Sequence, residues 1–292
     1  MSWRVVVVTG MAKLDYNMGF LVIRKRDSTT RVHISEIGLL MVESTLASCT
    51  MAVLTELVKS KVNVILCDEK HNPISQLLSL YGSHDTSAKI RKQIRFSEDT
   101  KKQVWTEIVT EKIKQQKMVL DTFGKKEASD LLQSYVEEIA FNDETNREGH
   151  AAKVYFNSLF GKTFARSEDN PINAALNYGY GIIISCFNRE IVSQGYLTQL
   201  GLFHDNMFNQ FNLSSDLMEP FRCLVDRRVV LLNPNCFEHT EKMEMLNILN
   251  EEVGIDGKRQ YVVNAISIYV HSVFDALNED DVSLIKFYRN EL

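Results

Sequence analysis

Proline and glycine are scarce, 4 and 13 of 292 residues, which excludes a loop-rich β protein and a disordered low-complexity chain. Long hydrophobic runs are missing too. The longest near the middle, Gly181 to Phe187, is closed by Asn188 and Arg189 and is far too short to cross a bilayer. Met1-Ser2-Trp3-Arg4-Val5 carries no basic leader followed by an apolar stretch, so a cytoplasmic protein is expected. The cysteines, Cys49, Cys67, Cys186, Cys223 and Cys236, form no C-x-x-C pair; their odd number suits reduced packing thiols better than a zinc site or a disulfide framework. Neither G-x-G-x-x-G nor G-x-x-x-x-G-K-[ST] occurs, which removes the phosphate loops of dinucleotide enzymes and P-loop ATPases. G-x-S-x-G is absent as well, and with it the simplest serine hydrolase.

A net charge of −5 gives no overall attraction to nucleic acid, so any such binding needs a local patch. One stretch qualifies: Lys89 to Lys117 holds nine Lys or Arg against four acids. It is either a solvated helix face or a phosphate-binding one.

What is present is 45% hydrophobic residues, ample for a packed core. Short β-branched runs at 3–9, 20–24, 31–34, 39–42 and 62–66, separated by Gly, Asn, Asp or Ser, predict strands, with a helix over 47–59. From Thr86 the spacing becomes helical, over 87–96, 100–116, 126–141 and 148–160. Strands first and helices after predict an α+β protein. A small N-terminal β domain spans 1–85 and a large α-helical domain 86–292, with Tyr81-Gly82-Ser83-His84-Asp85 as the linker or hinge.

Three places carry polar residues where apolar ones are cheaper. Glu148 falls in line with Ala152, Tyr155 and Leu159 on a helix, either as a helix-start acid or as a functional carboxylate. Asp216 and Glu219 are three apart in Asp216-Leu217-Met218-Glu219-Pro220-Phe221-Arg222. That pattern is capping-box-like, but Pro220 falls four residues past the cap, which leaves at least one acid free. In Gly201-Leu202-Phe203-His204-Asp205-Asn206, His204 by itself reads as a buried ring bonded to a backbone carbonyl. Two Glu and one His together make an N/O donor set suited to Mg²⁺ or Mn²⁺, with positions left open for phosphate and water.

The blocks REGHAAKVYF, DNPINAALNYGYGIII, GYLTQLGLFHDN and SSDLMEPFR occur in this order. With them the chain resembles the Cas1 family of CRISPR-associated endonuclease/integrases across essentially its whole length, most closely the type II branch. The resemblance implies a catalytic helical domain in which Glu148, His204 and Glu219 hold a divalent metal. Asp216 corresponds to an additional acid near the site in some members, a second-tier ligand or phosphate-side residue. Cys223 stands where many relatives have proline, a departure that touches packing beside the site. The resemblance further implies a homodimer joined through the β domains, and two dimers bridged by the small partner Cas2 into a heterohexamer, with other type II CRISPR proteins as further partners. The implied reaction is attack by the 3′-hydroxyl of a captured DNA on a phosphodiester at the leader end of a CRISPR repeat. Lys153, Arg166 and Arg222 lie in or next to the matching blocks and are candidate DNA contacts; Arg222 pairing with Glu219 or Asp226 is the alternative. A catalytically silent DNA-binding scaffold, or a helical metallohydrolase acting on small phosphate esters, are the competing readings.

Overall fold

The computed structural model describes residues 3–80 and 82–290. Met1, Ser2 and Tyr81, which entered the leader and linker expectations above, lie outside the described residues. The first part contains β1 (Arg4–Val8), β2 (Lys13–Asn17), β3 (Phe20–Arg24), β4 (Thr29–His33), β5 (Ile37–Val42), β6 (Ser48–Cys49), α1 (Met51–Lys59), β7 (Asn63–Cys67) and β8 (Pro73–Leu77). Helices follow: α2 (Thr86–Gln93), α3 (Glu98–Thr122), α4 (Lys126–Glu137), α5 (Arg147–Phe160), α6 (Pro171–Ser193), α7 (Asn212–Leu217), α8 (Arg222–Leu232) and α9 (His239–Leu246). A hairpin of β9 (Glu252–Ile255) and β10 (Lys258–Tyr261) precedes α10 (Val262–Glu279). The α+β order predicted from the sequence is the one observed, and no described helix is long and apolar enough to cross a membrane.

Two four-stranded sheets make up the first part, in the orders β1-β5-β7-β8 and β4-β3-β2-β6. In the first, β1, β5 and β7 are parallel, with α1 as the crossover between β5 and β7. Parallel strands covered on both faces read as continuous apolar runs, and Ile37-Gly38-Leu39-Leu40-Met41-Val42 is one. Alternate residues divide between two cores. Leu39, Met41, Ile65 and Cys67 join the helical cluster, whereas Leu40 and Val64 join the core shared with the second sheet. Asn63 fixes the junction by donating to Ser185 Oγ at 3.0 Å, and Gln76 donates to the Ser185 carbonyl at 2.7 Å.

Strands β2 and β8 were not predicted, because Lys13-Leu14-Asp15-Tyr16-Asn17 and Pro73-Ile74-Ser75-Gln76-Leu77 lack β-branched runs. β2 is held by its hairpin instead: Met18 and Gly19, at φ 48° and 84°, form the two-residue turn that matches strand twist. Asp256-Gly257, at φ 53° and 70°, does the same for β9 and β10. The connection into the helices is packed rather than loose. A Cβ on Gly82 would stand 1.6 Å from the Val192 carbonyl oxygen, and Thr86 Oγ1 donates to the Ser83 carbonyl at 2.7 Å. Of the thiols, Cys67, Cys186 and Cys223 are buried as expected, but Cys49 and Cys236 are exposed.

Candidate active site

The start of α5 fixes Glu148. Asn146 caps it with its side chain on the Gly149 N–H, and Asp143 accepts the N–H groups of Arg147 at 2.7 Å and Glu148 at 3.1 Å. Glu148 therefore stands in the first turn, where the helix dipole favours a carboxylate. Glu219 begins the single 3-10 turn, Glu219–Phe221, between α7 and α8, with Pro220 at a position that tolerates the missing N–H. Asp216 lies inside α7, so the capping-box pattern does not form.

Glu148 and Glu219 meet at one cation, the ammonium of Lys112 from the middle of α3. Lys112 donates to Glu148 Oε1 and forms an ion pair with Glu219 Oε2. The Lys112 ammonium compensates that buried oxygen, while Arg222 Nε donates to Glu219 Oε1 at 2.9 Å. Burial pushes the Glu219 carboxyl up, but the Lys112 and Arg222 charges outweigh it and hold the group down to about 2. For Lys112 burial works downward, and the Glu219 and Glu148 charges raise it. Glu219 and Lys112 thus stay ionised although each is at most 6% exposed.

These groups line a cleft of about 270 Å³ together with Arg166, Tyr180 and Asp226. Two guanidinium groups lie over the Tyr180 ring, Arg222 at 4.8 Å and Arg166 at 5.5 Å from its centroid. Arg166 is held by side-chain amides of α6, donating to Asn173 Oδ1 and, at 2.6 Å, to Asn177 Oδ1. Tyr180 donates to Asp226, whose carboxyl burial pushes up to about 6.

His204 lines a neighbouring hollow of about 430 Å³ with Phe96, Lys101 and Leu202. Its ring is 44% exposed, so it is not the core histidine that a lone His suggests. Asp216, fully buried, organises the whole segment: it accepts the N–H groups of Leu202 at 2.6 Å, Phe203 at 3.1 Å and His204 at 3.3 Å, and also pairs with His204 Nδ1. Trp105 stacks on Phe203 at 4.5 Å and meets the His204 ring edge-on at 5.8 Å. The Asp216 hydrogen bond raises the imidazole pKa against the opposing effect of burial, and the Asp216, Glu219 and Glu148 charges add to it.

Glu148 and Glu219 thus share one point, His204 stands beside it within electrostatic reach, and both Asp216 oxygens are committed to the His204 segment. Among the described residues no three His, Cys, Asp or Glu side chains stand close enough to close on a metal ion. Lys153 is exposed on α5 and forms no ion pair among the described residues. The basic stretch divides. Arg91, Lys92 and Arg95 line a hollow of about 420 Å³, Lys101 and Lys117 pair with Glu98 and Asp121, and Lys112 is buried. Lys112 escaped the sequence reading, although a signal existed: it stands four residues after Ile108 and three after Val109, on the buried stripe of α3.

Fold and site together define an α+β protein with a carboxylate-bearing, arginine-walled cleft in its helical part. The model of the family described as CRISPR associated protein Cas1 matches residues 5–252, and the chain belongs to that family. It is 31% identical over 292 residues to the CRISPR-associated endonuclease Cas1 of Neisseria meningitidis serogroup C (strain 8013), covering 98% of this chain and 96% of that one. Its fold is similar to that of a casposase bound to integration product, with a TM-score of 0.74, 18% identity, and 96% and 93% of the two chains covered. It is also similar to a chain of a Cas6-RT-Cas1–Cas2 complex, with a TM-score of 0.72 and 16% identity. That match covers 99% of this chain and 36% of the other.

Proposed function

We propose that the protein is a divalent-metal-dependent DNA endonuclease and integrase of CRISPR adaptation, joining the 3′-hydroxyl of a short captured DNA to a phosphodiester of the repeat array. The observation that carries this reading is the meeting of Glu148 and Glu219, from separate elements, at a single cation in a cleft walled by Arg166 and Arg222. Family membership and the fold likeness to a casposase bound to integration product support it.

By donor chemistry the set suits Mg²⁺ or Mn²⁺, with two carboxylates converging on positive charge, one imidazole and no thiolate, and holding the ion requires these side chains to draw closer than they stand. Glu148, Glu219 and His204 Nε2 would hold the ion, which when bound supplies charge for the phosphoryl oxygens and makes the attacking hydroxyl more acidic. Asp216, by taking His204 Nδ1–H, leaves the lone pair on Nε2. Arg166 and Arg222 bind non-bridging phosphate oxygens, and Lys153 contacts the DNA backbone farther out. In the joining step a P–O bond forms to the attacking 3′-oxygen as the bond to the repeat strand's own 3′-oxygen breaks. The proton of the attacking hydroxyl passes to water, and the leaving 3′-oxygen takes one from water to become a 3′-hydroxyl.

Residues 1–85 serve as the dimerisation domain and 86–292 as the catalytic one. Two dimers are bridged by Cas2, a partner that the Cas6-RT-Cas1–Cas2 likeness supports, within a type II system. Glu148→Ala and His204→Ala are expected to lower Mn²⁺-dependent strand joining into a supercoiled repeat-bearing plasmid by about 100-fold or more. Joining at the wild-type rate by either variant overturns the assignment. DNA binding without joining by the wild type favours the silent scaffold.

A further inference from the structure

Lys112 occupies the point at which the two carboxylates of the proposed metal site converge. Lysine is almost never buried without a partner, and this one has two, Glu148 and Glu219. Its backbone is locked: Ile108, Val109 and Ile113 around it are fully buried, and the Cys223 thiol approaches its carbonyl oxygen at 3.9 Å. Lys112 and Arg222 together balance the charges of Glu148 and Glu219. A divalent ion on the same carboxylates adds two positive charges within contact distance of the ammonium, where screening by solvent is weak. Ammonium and metal ion therefore oppose each other at these two side chains, and the opposition is reciprocal by linkage.

We propose that Lys112 is an internal counter-ion that holds Glu148 and Glu219 together and competes with the divalent ion for them, so that it sets how readily the site loads. The inference rests on the assignment of Glu148 and Glu219 as metal ligands. It also accounts for the stability of the buried Glu219 carboxylate beside the part-exposed Glu148, since removing one partner of a buried ion pair leaves an uncompensated charge.

The test is a Mn²⁺ titration of wild type, Lys112→Met, Lys112→Gln and Glu148→Gln, followed by the electron paramagnetic resonance signal of free Mn²⁺. Both Lys112 variants are expected to bind Mn²⁺ about tenfold tighter than wild type, and Glu148→Gln more weakly. Wild-type or weaker affinity in both Lys112 variants, alongside weakened Glu148→Gln, overturns the counter-ion role and leaves the metal site standing. Wild-type affinity in Glu148→Gln overturns the site itself. Thermal melting followed by circular dichroism covers folding. The Lys112 variants should melt below wild type without Mn²⁺ and recover with it, and failure of both to fold even with saturating Mn²⁺ overturns the proposal, because the ammonium would then do something the ion does not replace.

Discussion

Asp216 grips His204 twice, accepting its backbone N–H at 3.3 Å and pairing with its ring Nδ1. Because the same carboxylate also takes the N–H groups of Leu202 and Phe203, a segment with no helix or strand of its own is held as firmly as one. The ring is then presented with one nitrogen committed and the other available.

Replacing Asp216 by Asn keeps the shape and removes the charge. The His204 pKa, raised mainly by the Asp216 hydrogen bond, should fall, as read from imidazole NMR titration without divalent ions. Strand joining should drop about 10–100-fold. The sign follows from a raised pKa: the pair stabilises the fold below the ordinary imidazole value of about 6.5 and loses that contribution as pH rises through the raised one. An unchanged titration would show that Asp216 does not control the ring.

Gly201 leaves room for this grip. A Cβ there would stand 2.2 Å from the His204 carbonyl oxygen and 2.8 Å from Asp216 Oδ2. Gly201→Ala should cost about 1–3 kcal/mol in urea unfolding. It should also reduce joining more than that loss of stability explains, since the displaced groups are the His204 segment itself. Wild-type joining with wild-type stability would contradict the tight approach.

Tyr180 offers its ring to two guanidinium groups, those of Arg222 and Arg166. Tyr180→Phe keeps the ring and loses the Asp226 hydrogen bond, whereas Tyr180→Leu loses both. The Leu variant should weaken binding of a short DNA about tenfold in fluorescence anisotropy, with Phe within a few fold of wild type. Equal affinities for the two variants would remove the ring from the account.

Asp226 is a buried acid with its pKa pushed up to about 6, first by burial, against hydrogen bonds and nearby positive charge. Its folded value exceeds the unfolded one of about 3.9, so its ionisation destabilises the fold. The penalty is absent below about pH 4, grows between about 4 and 6, and is complete above that, about 3 kcal/mol in all. Asp226→Asn should be more stable than wild type at pH 7.5 and lose that advantage at pH 4, by urea unfolding at each pH. A pH-independent difference would argue against the shift.

Much of this was legible in the chain. The order of short apolar runs and then 3.6-residue spacing determined the α+β class, and the odd placement of Glu148, His204, Asp216 and Glu219 marked the candidate site. Asp256-Gly257 also carried its hairpin in plain view, because two consecutive positive φ values favour that dipeptide.

Tertiary structure alone decided which faces meet. Periodicity assigns residues to one side of one helix, and says nothing of what packs against it. Lys112 and Glu148 are 36 residues apart on different helices, so their shared charge became visible only when α3, α5 and the Glu219 turn were brought together. The same holds for Asp216, whose spacing from Glu219 suggested a joint role. The fold turned its carboxylate to the His204 segment instead, because buried N–H groups there needed an acceptor.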